Sequence, residues 1–126
     1  MEQYRKILEV QPNEPISLNN LAMLTIEEEP ENALKMAERA VSLRPDDANY
    51  VDTLGAVLLH MGKATQAQTV LGEAYKNFPS NPTIGYRYAE ALAAIGDRQG
   101  ARTLLLELVS RNFAEREQAQ ALLNRL

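Results

Sequence analysis

Large and small apolar residues recur along this chain at the three- and four-residue spacings of amphipathic helices. The pattern is most complete in residues 48–81, where its positions are Val51, Leu54, Gly55 and Leu58 in a first helix and Ala67, Leu71 and Ala74 in a second. Glycine and alanine at such positions let two antiparallel helices approach closely, and the leucines fill the space beside them. We therefore predict a packed pair of helices in this stretch.

Three prolines divide the chain at nearly equal intervals. Pro12, Pro45 and Pro79 lie 33 and 34 residues apart, and each closes a segment with the pattern of an amphipathic helix. Proline cannot continue a helix interior, because it lacks the backbone N–H and its ring clashes with the preceding turn. A fixed period of this length indicates an internal repeat built on one helix pair.

The stretches on both sides of residues 48–81 repeat its pattern. The positions are Leu18, Leu21, Ala22, Thr25, Ala33, Ala37, Ala40 and Pro45 in residues 15–47, and Gly85, Tyr88, Ala89, Leu92, Ala101, Leu105 and Leu108 in residues 82–113. Phe113 stands where a closing proline is expected. The first of these stretches is one residue short in its turn, and it has Glu29 followed by Pro30 where the later turns have Gly62 and Gly96. We expect the two glycines to end their helices in the left-handed conformation and Pro30 to begin a helix.

Residues suited to helix starts fall at the predicted boundaries. Asp47, Asn81 and Asp97 each precede a predicted helix and have side chains that can accept hydrogen bonds from its first N–H groups. Pro15 and Pro82 stand just inside first helices, where the missing N–H costs nothing. These residues support the predicted boundaries.

The two ends of the chain differ. Residues 2–12 match only the second helix of a repeat, whereas residues 114–126 carry Ala119, Leu122, Leu123 and Leu126 at helical spacing and predict a terminal helix that covers the last repeat. Because solenoids are usually capped at both ends, we expect the chain to be the C-terminal part of a longer repeat protein. The alternative is a short natural protein with one N-terminal capping helix.

The repeat resembles the tetratricopeptide repeat (TPR), and the middle copy matches that family's pattern over its full length. The resemblance implies an all-α fold, a right-handed TPR superhelix of antiparallel helix pairs with about three repeats, a preceding half-repeat helix and a C-terminal capping helix. The implied organisation is a single domain over residues 1–126. It consists of the half-repeat helix (2–12), three repeats (15–47, 48–81 and 82–113) and the capping helix (114–126).

The tail from Phe113 to Leu123 is similar to the tails of large bacterial TPR proteins tied to exopolysaccharide export and the cell envelope.

Composition narrows the possible partners. A net charge of −4 argues against a general nucleic-acid binder, and no apolar run approaches the length of a membrane span. The chain has no cysteine, which excludes disulfides and thiolate metal sites. The compartment is not fixed by composition. The tail resemblance favours the bacterial periplasm or envelope, with the cytoplasm as the alternative.

Candidate catalytic or metal-binding chemistry is sparse. His60 is the only histidine, and no partner stands at a spacing that would form a metal site or a triad with it; we expect it at the exposed end of its helix. The acidic run Glu27–Glu29 ends in Pro30 and fits a solvated turn better than an oxygen cage for calcium. We therefore predict no enzyme activity, no metal and no cofactor.

The register of the TPR family places one set of residues on the concave face. This set is Asn19, Met23, Asn49, Asp52, Ala56, Tyr86, Arg87 and Glu90, with Ile16 beside it. Asparagine can grip a peptide backbone with its paired donor and acceptor, and methionine gives an adaptable apolar contact. We expect Tyr86 to present an aromatic surface in the groove and Tyr88, at a family packing position, to lie in the core.

One specialisation of the family is a clamp of lysines, asparagines and arginine that holds a C-terminal carboxylate. The corresponding positions here are Asn19, Met23, Thr53, Thr83 and Arg87, of which only Arg87 is of the matching type. We expect the clamp to be absent.

The resemblance implies a scaffold or adaptor that binds a peptide or partner protein in the concave groove, without nucleic acid or membrane insertion. The alternative is a structural end segment of a longer superhelix, used for assembly or self-association. Ile7 near the N-terminal end would contribute to an apolar patch for such pairing.

Overall fold

The computed structural model of this chain describes residues 14–126, and within that range it contains seven α-helices and no strand. The all-α prediction is confirmed. The helix predicted for residues 2–12 lies outside the described residues. The described residues fall into two compact units, 14–63 and 64–126.

The first unit contains three helices. They are α1 (Pro15–Thr25), α2 (Pro30–Leu43) and α3 (Ala48–His60). Helix α2 contacts both α1 and α3, which also contact each other. Leu18, Ala40 and Tyr50, one from each helix, form a buried cluster on which Met36 and Val41 pack. Leu18 and Ala40 were predicted packing positions, whereas Tyr50 was not.

Helix starts in the first unit follow from capping. The Asp47 carboxylate accepts a hydrogen bond of 3.0 Å from the N–H of Asn49, as predicted for an N-cap. The Glu14 carboxylate caps α1 in the same way, accepting from the N–H groups of Ile16 at 2.8 Å and Ser17 at 3.2 Å. Glutamate is not a typical N-cap residue, so this bond could not be expected from the residue type.

The second unit contains four helices packed in chain order. They are α4 (Ala64–Asn77), α5 (Pro82–Ala94), α6 (Arg98–Leu108) and α7 (Arg116–Arg125). Each helix contacts the next. The main buried cluster consists of Tyr86, Ala89, Leu105, Leu108, Ala119, Leu122 and Leu123. The Asn81 amide oxygen caps α5, and the Asp97 carboxylate caps α6, so both predicted N-caps are confirmed.

Gly85 marks a close approach of helices in the second unit. A Cβ atom at this position would lie 2.9 Å from Cε1 of Tyr75 on α4 and 3.0 Å from Cδ2 of Leu108 on α6. Real Cβ atoms do not come this near to other carbons without displacing them. The small residue in this place in the repeat pattern therefore has a direct steric reason.

The predicted turns use two solutions, glycine after the end of a helix and proline at the start of one. Gly62 and Gly96 follow α3 and α5 with φ of 75° and 90°, a conformation that favours glycine. Pro30 begins α2, where its fixed φ suits the first helical turn. Among residues 14–126 no other positive φ occurs.

The terminal helix is held by apolar contacts and by polar contacts at its start. Ala119, Leu122 and Leu123 are buried, and Phe113 packs half-buried against the same cluster in place of the expected proline. The Thr83 hydroxyl donates to the Glu115 carboxylate at 2.7 Å, and the Nε of Arg116 donates to the carbonyl of Val109 at 2.8 Å. The predicted helix is therefore present and joined to α5 and to the end of α6.

Neighbouring leucines on α6 provide a test of this packing. Leu105 is fully buried, whereas 57% of Leu106 is exposed. Leu105→Ala leaves a cavity in the cluster, so we expect it to lower the free energy of unfolding by about 2–5 kcal/mol. Leu106→Ala is the matched control and should change it by less than about 0.5 kcal/mol. Urea unfolding of both variants measures the difference; equal effects would contradict the described core.

Candidate functional site

A cleft of about 390 Å³ lies in the first unit, between α1 and α3. Its lining residues are Ile16, Asn19, Asn20, Met23, Asp47, Asn49, Tyr50, Asp52 and Thr53. The lining is mostly polar, with an apolar residue near each end of its α1 wall. The cleft thus combines hydrogen-bonding groups with apolar contact surface, as ligand-binding clefts do.

Helix α1 forms one wall because of its spacing. Ile16, Asn20 and Met23 are separated by four and three residues, so their side chains lie on one face of the helix. Ile16 is 60% exposed and Met23 is 59% exposed, although both are large and apolar. This face of α1 offers two unburied apolar side chains about two helical turns, or roughly 10 Å, apart.

Asn19 lies on the same wall but is buried. Only 8% of its surface is exposed, and its Oδ1 atom has no hydrogen-bond partner among the described residues. It is the one buried side-chain oxygen or nitrogen in residues 14–126 without such a partner. A buried acceptor left in this state costs about 1–3 kcal/mol. Most buried polar groups in folded proteins have a partner, so this oxygen is an exception that calls for a physical explanation.

Helix α3 forms the opposite wall and carries its negative charge. The Asp47 carboxylate caps the helix through the N–H of Asn49, and Asp52 lies about one and a half turns further along. The Thr53 hydroxyl donates to the Asn49 carbonyl at 3.1 Å, so it is already bonded. The described lining residues include two carboxylates and no lysine, arginine or histidine.

Tyr50 joins the cleft to the core of the first unit. Burial raises the pKa of its hydroxyl, the carboxylates of Asp47 and Glu14 raise it further, and the nearby Arg44 guanidinium lowers it. Its phenol therefore stays protonated at neutral pH and can act as a donor as well as an acceptor.

The cleft brings together four of the residues that the sequence predicted for a groove, namely Asn19, Met23, Asn49 and Asp52. Ala56 is half-buried on α3 and does not line it. The predicted groove set did not include four other lining residues, which are Asn20, Asp47, Tyr50 and Thr53. Asn20 could have been found from its helical spacing to Ile16 and Met23, whereas the place of Tyr50 depends on how α3 packs.

The expected exposure of Tyr86 is wrong. Only 8% of Tyr86 is exposed, and its ring belongs to the cluster that contains Leu122 and Leu123 of α7. Burial, then the charge of Glu90 and a hydrogen bond to it, raise the pKa of the Tyr86 hydroxyl to about 12, against the lowering effect of Arg87. The physical reason is the terminal helix, whose apolar residues share this face of α5.

Tyr88 also departs from its expected place, since it is half-buried where the core was predicted. Its ring packs beside Gly72, where a Cβ atom would lie 3.2 Å away, and its centroid is 6.3 Å from that of Tyr75. Tyr88 thus keeps a packing contact with α4, but it is less buried than Tyr86.

Arg87 and Glu90 are paired with each other on α5. The Arg87 Nη1 atom lies 2.9 Å from Oε1 of Glu90, and the guanidinium carbon lies 5.8 Å from the centre of the Tyr86 ring. Both charged side chains are about one-third exposed. The arginine that matches the carboxylate clamp by type is thus already engaged by a carboxylate of its own helix.

The remaining candidate residues, His60 and the acidic run Glu27–Glu29, do not form a catalytic or metal-binding site with other described residues. His60 is the exposed last residue of α3, as predicted. Glu27 and Glu28 are exposed in the turn before Pro30, and the Glu29 carboxylate accepts a hydrogen bond from Asn32 at 3.0 Å. Within residues 14–126 no group of three or more histidine or acidic residues could hold a metal ion. No helix in this range is long and apolar enough to cross a bilayer.

Comparison with known proteins identifies the repeat. A profile of the tetratricopeptide repeat matches residues 58–126, which is more than half of the chain. No curated protein sequence matches the chain. None of these comparisons supports the similarity of the tail to exopolysaccharide-export proteins.

Several solved structures share the fold. MamA superposes with a TM-score of 0.75 at 19% identity, over 85% of this chain and 63% of MamA. TTC0263, a thermophilic TPR protein of Thermus thermophilus, gives 0.74 at 18% identity, over 85% of this chain and 61% of TTC0263. Yeast Tom70 gives 0.78 at 18% identity, over 97% of this chain and 28% of Tom70. This chain therefore spans less than two thirds of each of these proteins, and at such identities the likeness concerns the fold.

The orphan oxygen of Asn19 predicts a gain in stability on its removal. Asn19→Leu replaces the amide with an apolar group of similar shape, so we expect the free energy of unfolding to rise by about 1 kcal/mol. Asn20→Leu, on the next residue of the same cleft wall, is the matched control and should give no such gain. Urea unfolding measures both. A loss of stability in Asn19→Leu would show that Oδ1 has a stabilising partner in the folded protein.

The raised pKa of Tyr86 predicts a loss of stability at high pH. The pKa is about 12 in the folded chain and about 10 for a tyrosine in an unfolded one, so the unfolded chain loses its phenolic proton first as the pH rises. The stabilisation is complete below about pH 10 and is lost towards about pH 12. Tyr86→Phe should reduce the fall of the urea midpoint between these values. Parallel pH curves for the two proteins would contradict the burial of this hydroxyl.

Proposed function

Because this chain belongs to the tetratricopeptide-repeat family, we propose that it is a non-catalytic scaffold or adaptor that binds a segment of a partner protein in the cleft between α1 and α3. The family generally provides surfaces for protein–protein interaction and not catalysis. The bound segment comes from a protein, and binding requires no cofactor.

The observation that carries the proposal is the pair of unburied apolar side chains, Ile16 and Met23, beside a polar cleft. Large apolar residues rimmed by polar ones mark interaction sites. Their separation of roughly 10 Å corresponds to about three residues of a polyproline II chain, in which residues three apart share a face. An extended segment could therefore place two apolar side chains against Ile16 and Met23 while its backbone meets the amides of Asn19, Asn20 and Asn49.

The second unit contributes less to this proposal. Tyr86 is buried, and Arg87 and Glu90 bind each other, so their predicted contacts with a partner would be made by half-buried side chains at most. Whether these three residues take part in binding stays a prediction.

Self-association of the chain, the alternative function, also stays a prediction, because Ile7 lies outside the described residues.

Selection from a displayed library of random twelve-residue peptides tests the proposal on the immobilised chain. The decisive variant combines Ile16→Gln with Met23→Gln, which removes both apolar contacts of the cleft and adds no charge. The matched control combines Leu106→Gln with Ile95→Gln, two exposed apolar residues of the second unit. We expect the selected peptides to bind the cleft variant at least about tenfold more weakly, given the value of two buried apolar contacts.

The control variant should bind these peptides as the unaltered chain does, and thermal unfolding should confirm that both double variants remain folded. Peptides that keep their affinity for the cleft variant and lose it for the control would place the binding surface elsewhere and contradict the proposal.

A further inference from the structure

We propose that Met23 is a site of reversible oxidation, at which a hydroperoxide converts the thioether to a sulfoxide and so switches off binding in the cleft between α1 and α3. This inference rests on the proposed function and adds a means of regulating it. It concerns the chemistry of one lining side chain, whereas the proposed function rests on the apolar surface that this side chain provides.

The first support is the exposure of Met23. Its side chain belongs to a residue that is 59% exposed, whereas Met36 and Met61 are half-buried and Met36 packs against the buried cluster of the first unit. The chain has no cysteine, so no thiolate competes for the oxidant. Oxidation favours accessible sulfur. Among the described methionines, Met23 is therefore the one that an oxidant in solvent reaches most readily.

The reaction transfers one oxygen atom and two electrons. The thioether sulfur of Met23 attacks one oxygen of hydrogen peroxide, so that a sulfur–oxygen bond forms while the oxygen–oxygen bond breaks. The proton of the transferred hydroxyl group goes to the departing hydroxide, which leaves as water. Methionine sulfoxide reductases return the thioether, with one enzyme for each sulfoxide epimer. The modification is therefore reversible.

The second support is the place of Met23 in the cleft. Met23 and Ile16 are the two exposed apolar residues of the α1 wall. A sulfoxide is polar and hydrated, so an apolar side chain of the bound segment would displace its water without offering a hydrogen bond in return. Ile16 has no sulfur and is not changed by the oxidant. Oxidation thus removes one of the two apolar contacts and leaves the other.

The third support is the neighbour of Met23 on the helix. Asn20 stands three residues before Met23 on the same face of α1 and also lines the cleft. Its side-chain amide carries two N–H donors, which suit the oxygen of a sulfoxide. Oxidised Met23 can therefore occupy a donor that the backbone of the bound segment would otherwise use. The lining accommodates the oxidised side chain and at the same time becomes less suited to the ligand.

Peroxide treatment of the folded chain tests the assigned site. Samples taken during treatment are digested, and mass spectrometry gives the oxidation rate of each methionine. We expect Met23 to be oxidised at least about fivefold faster than Met36 and Met61, because it is the exposed one. The same treatment in urea is the control, and there the three rates should become similar.

The effect on binding is measured with one of the selected peptides that depend on the cleft, chosen to contain no methionine, cysteine or tryptophan. Isothermal titration calorimetry follows removal of the peroxide. We expect oxidation of Met23 to weaken binding about fivefold or more, because an apolar contact is lost. Treatment of the oxidised chain with methionine sulfoxide reductases A and B should restore the original affinity.

Two variants assign the effect to Met23. Leucine has no sulfur, so the affinity of Met23→Leu, whatever its value before treatment, should change by less than about twofold on treatment with peroxide. Met61→Leu is the matched control, because Met61 is half-buried and is not a lining residue. This variant keeps Met23 and should lose affinity on treatment as the unaltered chain does.

The outcomes separate this inference from the proposed function. Oxidation of Met23 that is no faster than that of Met36 and Met61 would overturn the assigned site. An unchanged affinity after oxidation of Met23, or an equal loss in Met23→Leu, would overturn the switch. Each of these results leaves the proposed function in place as long as the peptides still require Ile16 and Met23. Peptides that bind without any dependence on the cleft would overturn both proposals.

Discussion

The close approach of neighbouring helices is the constraint on which the rest of this structure depends. On α2 the side chains of Ala33, Ala37 and Ala40 are fully buried, so at these three positions the helix contributes only a methyl group to its packing. In the second unit Gly85 and Ala101 have the same role between consecutive helices. Larger residues at these positions would push the helices apart and open the clusters around Tyr50 and Leu105. The small residues thus set the helix spacing, and the leucines fill the volume that this spacing leaves.

The sequence predicted the features that depend on local physics. N-caps at Asp47, Asn81 and Asp97, the helix start at Pro30 and the left-handed glycines are each fixed by a few adjacent residues, so a pattern of residue types is enough to find them. The burial of Tyr86 and the partial exposure of Tyr88 were not predictable in this way. Residues two apart on a helix point in different directions, but which of them is covered depends on where another helix packs. Here the covering residues come from α7, which lies far along the chain from α5.

The cleft between α1 and α3 shows the same limit of prediction from sequence. Four of its residues could be predicted from helical register, because register is local. The isolation of the Asn19 oxygen could not, since it depends on the absence of a donor from every neighbouring described residue. Sequence identifies an asparagine at a groove position but not whether its hydrogen bonds are already made. An asparagine whose hydrogen bonds are made within the protein stabilises the fold, whereas one with an unbonded buried oxygen lowers the stability of the fold and is a candidate for a functional role.

Glycine is needed at Gly85, Gly62 and Gly96 for two different physical reasons. At Gly85 the requirement is size, because the neighbouring side chains leave no room for a Cβ atom. At Gly62 and Gly96 there is open space around the position where a Cβ would lie, and only the positive φ excludes ordinary side chains. The constraint at these two turns is therefore one of handedness. A D-amino acid has the mirror-image preference, so D-alanine would fit both turns without strain and would restrict the unfolded chain more than glycine does. The repeat uses an achiral residue where the backbone geometry calls for the opposite chirality.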